Sequence, residues 1–340
     1  MDTLTHVVFG ACIGEAFFEK GFGKKAMWWG ALSQSIADID FVAFLWMDTS
    51  AALLAHRGFT HSIVFIFLLS PVFALTAERF HRPHNIRFRK WLIFFATQML
   101  MHLLLDLCNN YGMGLLEPFQ HERFAFNVLY VADPLFSFLP AVAFWMLIKL
   151  NRYSKMRLRW VKSVFIWMLT YFLFALGIKI KIQEKVEFES GLDGISYMDH
   201  LITPAPFQIF MWYVVLKTDT GYWVSYRSIF DHNIKSVRRF HPQQKKLLET
   251  VHDHEELQHL IRFSNDFYTA QKINDTLYFN DLRFGQVLGW HNPENPFVFR
   301  YILSHTSDQY LVVQRGRMQS WSRSEFHYYF RRIFGFIDFR

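Results

Sequence analysis

The run WVKSVFIWMLTYFLFALGI, Trp160 to Ile178, contains one charged residue, Lys162, in its whole length. A helix needs about 20 predominantly apolar residues to cross a bilayer, so this run makes the chain a helical membrane protein. Working upstream, Phe59 to Ala77 is a second strong span. Trp91 to Leu107 and Ala132 to Ile148 are slightly short and still read as spans. Ala26 to Met47 has the length but carries Asp38 and Asp40 within it. Leu4 to Phe18 is short enough to be a tilted or partly inserted helix.

Downstream of about Lys179 the apolar density falls. Trp212–Lys217 and Tyr222–Ser228 flank Thr218-Asp219-Thr220-Gly221, a hairpin signal. Gln244–Phe263 reads as helix, Thr276–Phe284, Phe297–Ser304 and Gln309–Gln314 as strands, and Ser322–Phe334 as an aromatic-rich terminal helix. The expected fold is therefore mostly α. A multi-span helical membrane domain over residues 1–180 is followed by a smaller soluble α+β domain over residues 181–340.

Of 340 residues, 52% are hydrophobic and 19% aromatic, which excludes disorder. The formal charge of +7 does not point to nucleic acid, because the positive charge concentrates in two short segments between apolar runs. One holds Arg79, Arg82, Arg87, Arg89 and Lys90; the other holds Lys149, Arg152, Lys155, Arg157, Arg159 and Lys162 with no acid among them. Short basic loops between spans are the positive-inside pattern of cytoplasmic loops. The two cysteines, Cys12 and Cys108, form no C-x-x-C pair, so neither a disulfide framework nor a thiolate zinc site is expected. The start of the chain lacks the basic region and cleavage site of a secretory signal, so the first apolar stretch is expected to stay in the mature protein.

Ionisable groups inside apolar stretches are costly and mark functional sites. Here they are His6, Asp38, Asp40, His56, His61, His102, Asp106 and Asp133, nitrogen and carboxylate ligands suited to zinc or a similar divalent ion. His102 and Asp106, in HLLLD, are an i, i+4 pair on one helix face; an interhelical His–Asp hydrogen bond would use the same spacing. His56 and His61 frame HRGFTHS, where Gly58 permits a tight turn, Thr60 can cap the next helix and Arg57 offers a cation shaped for phosphate or carboxylate. Asp38 and Asp40 lie close enough to repel unless a cation or proton separates them. Asp133 before Pro134 has the form of an N-cap.

With the two basic loops placed in the cytoplasm, each candidate ligand falls on the opposite side, in the outer part of the bilayer. Trp160–Ile178 then runs outward and carries the C-terminal domain to that side. Scattered structural polar residues would not sort this way.

The runs DTLTH (2–6), ADID (37–40), HRGFTHS (56–62), HLLLD (102–106), LLEPF (115–119) and ADPLF (132–136) together resemble the YdjM-like membrane-bound metal-dependent hydrolases. The resemblance covers about the first 150 residues. TPAPFQIFMW (203–212) and the YWVSY strand (222–226) are similar to the C-terminal domain of some members. The family is thought to be distantly related to zinc-dependent phospholipase C and the single-strand-specific zinc nucleases, helical proteins holding three zinc ions. The resemblance implies an H-x-x-x-D pair, matched by His102 and Asp106, with further His and Asp ligands. The soluble relatives also use their own N-terminus as a ligand, whereas here Met1 and Asp2 precede the first histidine.

The expected function is a metal-dependent hydrolase of the inner membrane, acting on a phosphoester or lipid-linked substrate with one to three divalent ions, zinc first among them. His56, His61, His102 and Asp106 are the expected direct ligands. Asp38 and Asp40 are ligands or the base, His6 and Asp133 further candidates, and Arg57 the holder of the substrate anion. Two rival classes use the same residues. A metal-ion or proton transporter would spread them through the membrane depth, and a non-catalytic membrane module would use a structural metal to pin its helices.

Overall fold

The computed structural model describes residues 1–231, 237–251, 253–303 and 321–336. The chain divides into two units, Met1–Met47 with Leu54–Phe174, and Asp48–Leu53 with Ala175–Arg340.

In the first unit, α1 (Thr3–Phe22) starts at Asp2, whose carboxylate accepts from the Thr5 amide at 3.0 Å. One residue, Gly23 at φ 64, turns the chain into α2 (Lys24–Ser35). The two helices pack as an antiparallel hairpin, with Gly10 against Gly30 and Gly14 against Ala26. A Cβ at Gly10 or Gly30 would overlap the other's carbonyl oxygen. Small residues let backbones approach this closely, which is how apolar helices associate where water supplies no drive.

The stretch Ala26–Met47 is not one helix. It ends as α2 at Ser35 and continues as a 3-10 segment, Ala37–Leu45. The hydroxyls of Ser33 and Ser35 bond back to the carbonyls of Trp29 and Ala31, at 2.7 and 3.0 Å, a pattern that bends helices. Asp38 and Asp40 then lie in the first turn of the 3-10 segment. After α3 (Thr49–Ala55), which up to Leu53 is assigned to the second unit, the sharp turn falls one residue before the expected one: Arg57 takes the left-handed conformation at φ 59. Gly58 is needed for space, since a Cβ there would stand 2.9 Å from the Leu54 carbonyl oxygen. A 3-10 turn, Phe59–His61, leads into α4 (Ile63–Phe80), and Ser62 rather than Thr60 caps it through the Phe65 amide.

The remaining helices of this unit are α5 (Phe88–Leu107), α6 (Pro134–Lys149) and the first part of α7 (Met156–Leu192). Phe18, Phe22, Ala26, Ala74, Ala77, Trp91, Phe94 and Phe95 form a core cluster among α1, α2, α4 and α5. Among the described residues, α4, α5 and α7 are long and apolar enough to cross a membrane, while Thr3–Phe18 and α6 are apolar but shorter. The apolar window of α4 is only 17% buried, as a helix facing lipid requires.

The helix α7 outlasts its apolar run and reaches Leu192. Ile178, Ile182, Val186 and Ser190 are buried at four-residue spacing, so the polar continuation is an amphipathic helix.

The second unit contains two antiparallel sheets. One runs β1 (Asp199–Pro204), β2 (Met211–Lys217), β3 (Gly221–Ser228), β4 (Arg239–Pro242) in order. The other runs β5 (Tyr268–Ile273), β6 (Thr276–Gln286), β7 (Phe297–Ile302). The β2–β3 hairpin forms as the Thr-Asp-Thr-Gly signal implies, with Lys217 opposite Tyr222. The helix expected over Gln244–Phe263 is split into a 3-10 turn (Lys245–Thr250) and α8 (His254–Phe263), which restarts at the cap Asp253. The last helix, α9 (Arg323–Ile333), matches its expectation. The strand expected at Gln309–Gln314 lies outside the described residues. Leu201, Tyr213, Val215, Tyr222, Val224, Leu282 and Tyr329 are central members of this unit's core.

Candidate metal centre

His102 and Asp106 come from the last turns of α5, both side chains at most 1% exposed. The 3-10 turn before α4 supplies His61, and the 3-10 segment after α2 supplies Asp38. One ligand atom from each of Asp38, His61, His102 and Asp106 lies within 4.8 Å of all the others. His61 Nε2 stands 3.1 Å from His102 Nε2 and 3.2 Å from Asp106 Oδ2. Asp38 Oδ1 lies 3.6 Å from His61 Nε2 and 3.8 Å from His102 Nε2.

The outer partners of the rings decide what these short approaches mean. His102 Nδ1 lies 2.5 Å from the Gln34 carbonyl oxygen, which can only accept, so the ring proton sits on Nδ1. His61 Nδ1 faces Asp40 Oδ2 at 3.2 Å. His6 Nδ1 faces Gln34 Oε1 at 3.2 Å. In their neutral forms all three rings present an Nε2 lone pair inward, towards one another and towards Asp106. Lone pairs and carboxylate oxygens collected in this way repel. Asp106 Oδ2 and Asp38 Oδ2 are buried with no hydrogen-bond partner. A cation among them removes the conflict, and outer carbonyl and carboxylate partners that fix the tautomer are the usual supports of metal-binding histidines. The donor set fits a divalent ion such as zinc.

Asp40 works from behind. Its Oδ1 accepts from His56 Nδ1 at 2.7 Å, and its Oδ2 receives the Thr60 hydroxyl at 2.6 Å and the Arg57 amide at 2.8 Å, besides facing His61. It thus sets the rings of both histidines of HRGFTHS. His56 stands outside the four-residue group, its ring centroid 6.4 Å from that of His61 and its side chain 25% exposed.

His6 joins the far side of the cluster. Its Nε2 lies 3.2 Å from Asp106 Oδ1, and its ring stacks on His102 with centroids 4.0 Å apart. The Met1 amino nitrogen also contacts Asp106 Oδ1. Arg57 is 4% exposed and already engaged, with Nη2 3.2 Å from Asp106 Oδ1, Nη1 donating to Asn109 Oδ1 at 2.8 Å, and the guanidinium over the Tyr111 ring. Asp133 is not brought to the cluster. It caps α6 through the Leu135 and Phe136 amides and accepts the Tyr171 hydroxyl at 2.7 Å.

Gln34 and Asn109 were not among the residues expected at the site, and the Met1 amino group reaches Asp106 although Met1 and Asp2 precede the first histidine. Gln34 had a usable signal, a polar residue inside an apolar stretch. Asn109 just past α5 carries no pattern.

Residues 1–182 match the sequence model of the family described as YdjM inner membrane protein. Over 123 residues, 36% of this chain and 69% of the relative, the chain is 32% identical to Inner membrane protein YbcI of Escherichia coli (strain K12). Over 241 residues, 68% of this chain and 69% of the relative, it is 27% identical to Uncharacterized protein YfhP of Bacillus subtilis (strain 168). No solved structure matches the chain significantly.

Proposed function

The chain belongs to the YdjM inner membrane protein family, and from its convergent His/Asp cluster we propose that it is a metal-dependent hydrolase of ester bonds, acting on a phosphoester or lipid-linked substrate. The observation that carries this reading is the inward convergence of ligand atoms from Asp38, His61, His102 and Asp106. A bound divalent ion would supply Lewis acidity and an activated water.

The chain's own residues have separate tasks in this reading. His61, His102 and Asp106 hold the ion. Asp38, with 17% of its side chain exposed, sits at the accessible edge and serves as ligand or proton acceptor for the attacking water. Asp40 holds His56 and His61 in register, and His56 is placed to bind substrate or a second ion. Arg57 fixes the Asp106 carboxylate, which leaves the gripping of a substrate anion as the weaker of its two roles. Residues 1–180 form the membrane domain with the site in its outer part. Residues 181–340 form the soluble domain on the same, extracytoplasmic side.

A structural metal is the second reading, favoured by the near-complete burial of His61, His102 and Asp106, since structural sites are closed and catalytic ones keep an open position. Elemental analysis of detergent-purified protein, paired with a phosphoester and phospholipid hydrolysis panel, separates the two. We expect at least one tightly held divalent ion, and hydrolysis that disappears in His102→Ala and Asp106→Ala. Metal with no hydrolysis across the panel favours the structural role. Folded protein purified without metal sinks both.

A further inference from the structure

The second basic segment is more than a topological signal. Around the turn from α6 into α7 it borders a half-open cavity of about 390 Å³, lined by Glu15, Arg152, Lys155, Arg157, Arg159 and Lys162 together with Leu158 and Val161. Only one of its five cations is neutralised. Arg157 makes a two-point pair with Glu15, Nε to Oε1 at 2.6 Å and Nη2 to Oε2 at 2.7 Å, and donates to the Leu147 and Leu150 carbonyls. Arg152, Lys155, Arg159 and Lys162 are exposed, and no carboxylate pairs with them among the described residues. The cavity also sits at the start of α7, whose first turn contains no acid. A helix N-terminus carries partial positive charge, so acids are favoured there and clustered cations add to the repulsion. An anion held here would relieve that repulsion.

Two features set the height of the cavity in the bilayer. The four cations that no carboxylate pairs lie just before or within the first turn of the apolar run Trp160–Ile178 of α7. Lys149 lies over the Trp145 ring and Arg152 over the Tyr153 ring, the pairing of aromatic and basic side chains that marks a membrane interface. The cavity wall is mixed, with Leu158 and Val161 beside the charges, so it can take the glycerol and upper acyl part of a lipid as well as its phosphate. Its volume falls in the range of small-molecule sites, larger than a bare phosphate needs.

We propose that this cavity binds the phosphodiester headgroup of an anionic phospholipid in the leaflet on the basic-loop side, away from the His/Asp cluster. Arg152, Lys155, Arg159 and Lys162 hold the phosphate, and the Arg157–Glu15 pair fixes the floor. The test is native mass spectrometry of the full chain in detergent, titrated with phosphatidylglycerol and with phosphatidylcholine, at two salt concentrations. Wild type should retain phosphatidylglycerol preferentially, and the preference should weaken with salt. Arg152→Gln/Lys155→Gln/Arg159→Gln should lose about fivefold in affinity per charge removed. These side chains are exposed, so the melting temperature and metal content should stay at the wild-type values; Lys162→Gln alone provides a milder variant with the same expected direction. The comparison variant Arg79→Gln/Arg82→Gln/Arg87→Gln removes as much charge from the other basic loop and should leave the preference intact. Equal losses in both triple variants would overturn the proposal in favour of general surface charge. Displacement of phosphatidylglycerol by millimolar inorganic phosphate would overturn the lipid as ligand and leave a free-anion site.

Discussion

Asp40 shows what a single carboxylate does from behind the group of Asp38, His61, His102 and Asp106. Its two oxygens contact His56, His61, Thr60 and the Arg57 amide. Asp40→Asn keeps the shape and places an amide where an acceptor is needed, so at least one ring loses its support. Replacing such outer partners typically lowers metal affinity by about 10–100-fold. We expect a loss of that size in a competition titration with a chelator, with helix content unchanged; wild-type affinity would remove Asp40 from the support of the site. Asp133 provides the opposite case, an intramembrane carboxylate bonded to two amides and Tyr171. Asp133→Ala should cost stability by about 1 kcal/mol from the lost cap, or more with the Tyr171 hydroxyl unpaired. Metal content should not change, and its loss would return Asp133 to the ligand set. The sequence made the His102/Asp106 pair legible because helix geometry alone puts i and i+4 on one face. The two Asp residues of ADID could not be told apart in the same way. Asp38 turns inward and Asp40 backs the rings because of packing between segments far apart in the chain.

At the scale of elements, the helices were legible wherever apolar length settles the matter, as in α4, α5 and α7. The break in Ala26–Met47 was not, since composition favours a continuous span. Local serine back-bonding and the pull of two aspartates towards histidines on other segments decide against it. Likewise β1 lacked a pattern strong enough to announce it, and its place follows from pairing with β2. The α1–α2 hairpin carries a prediction of its own. It brings His6 and Gln34 to the cluster, and its spacing is set by Gly10 and Gly30. Gly30→Leu adds a side chain where none fits, which typically costs about 1–3 kcal/mol. It must also push α1 away from α2, parting His6 from Gln34 without altering either residue. We therefore expect weaker metal retention together with a lowered melting temperature. Gly177→Leu, in the apolar run of α7 with nothing within 4 Å of an added Cβ, should change neither. Full metal retention in Gly30→Leu would show that the hairpin does not set the site.

On the scale of the whole molecule, the distribution of charge gives the expectation that the site faces one side of the membrane. The loops around residues 79–90 and 149–162 hold the clustered lysines and arginines. The candidate ligands lie at the opposite ends of the adjoining helices: His102 and Asp106 in the last turns of α5, and His61 just before α4. Cytoplasmic retention of short basic loops would therefore orient every ligand outward. The order of apolar and basic segments alone leads to that expectation, and the convergence of Asp38, His61, His102 and Asp106 is consistent with it. The shape of the site could not be read from the sequence, because the 3-10 segment and the 3-10 turn that supply Asp38 and His61 leave no periodic signature. Reporter fusions after residue 85 and after residue 155 should register the cytoplasm. Fusions near residue 118 and within the β2–β3 hairpin should register the other side, since the run Trp160–Ile178 of α7 then leads outward. A cytoplasmic second unit would mean that the charge pattern misassigns the direction of the spans or that α7 does not cross, and the outward placement of the ligands would no longer follow from it. The hydrolase reading would then lose its topological support and would rest on the local geometry of Asp38, His61, His102 and Asp106 alone.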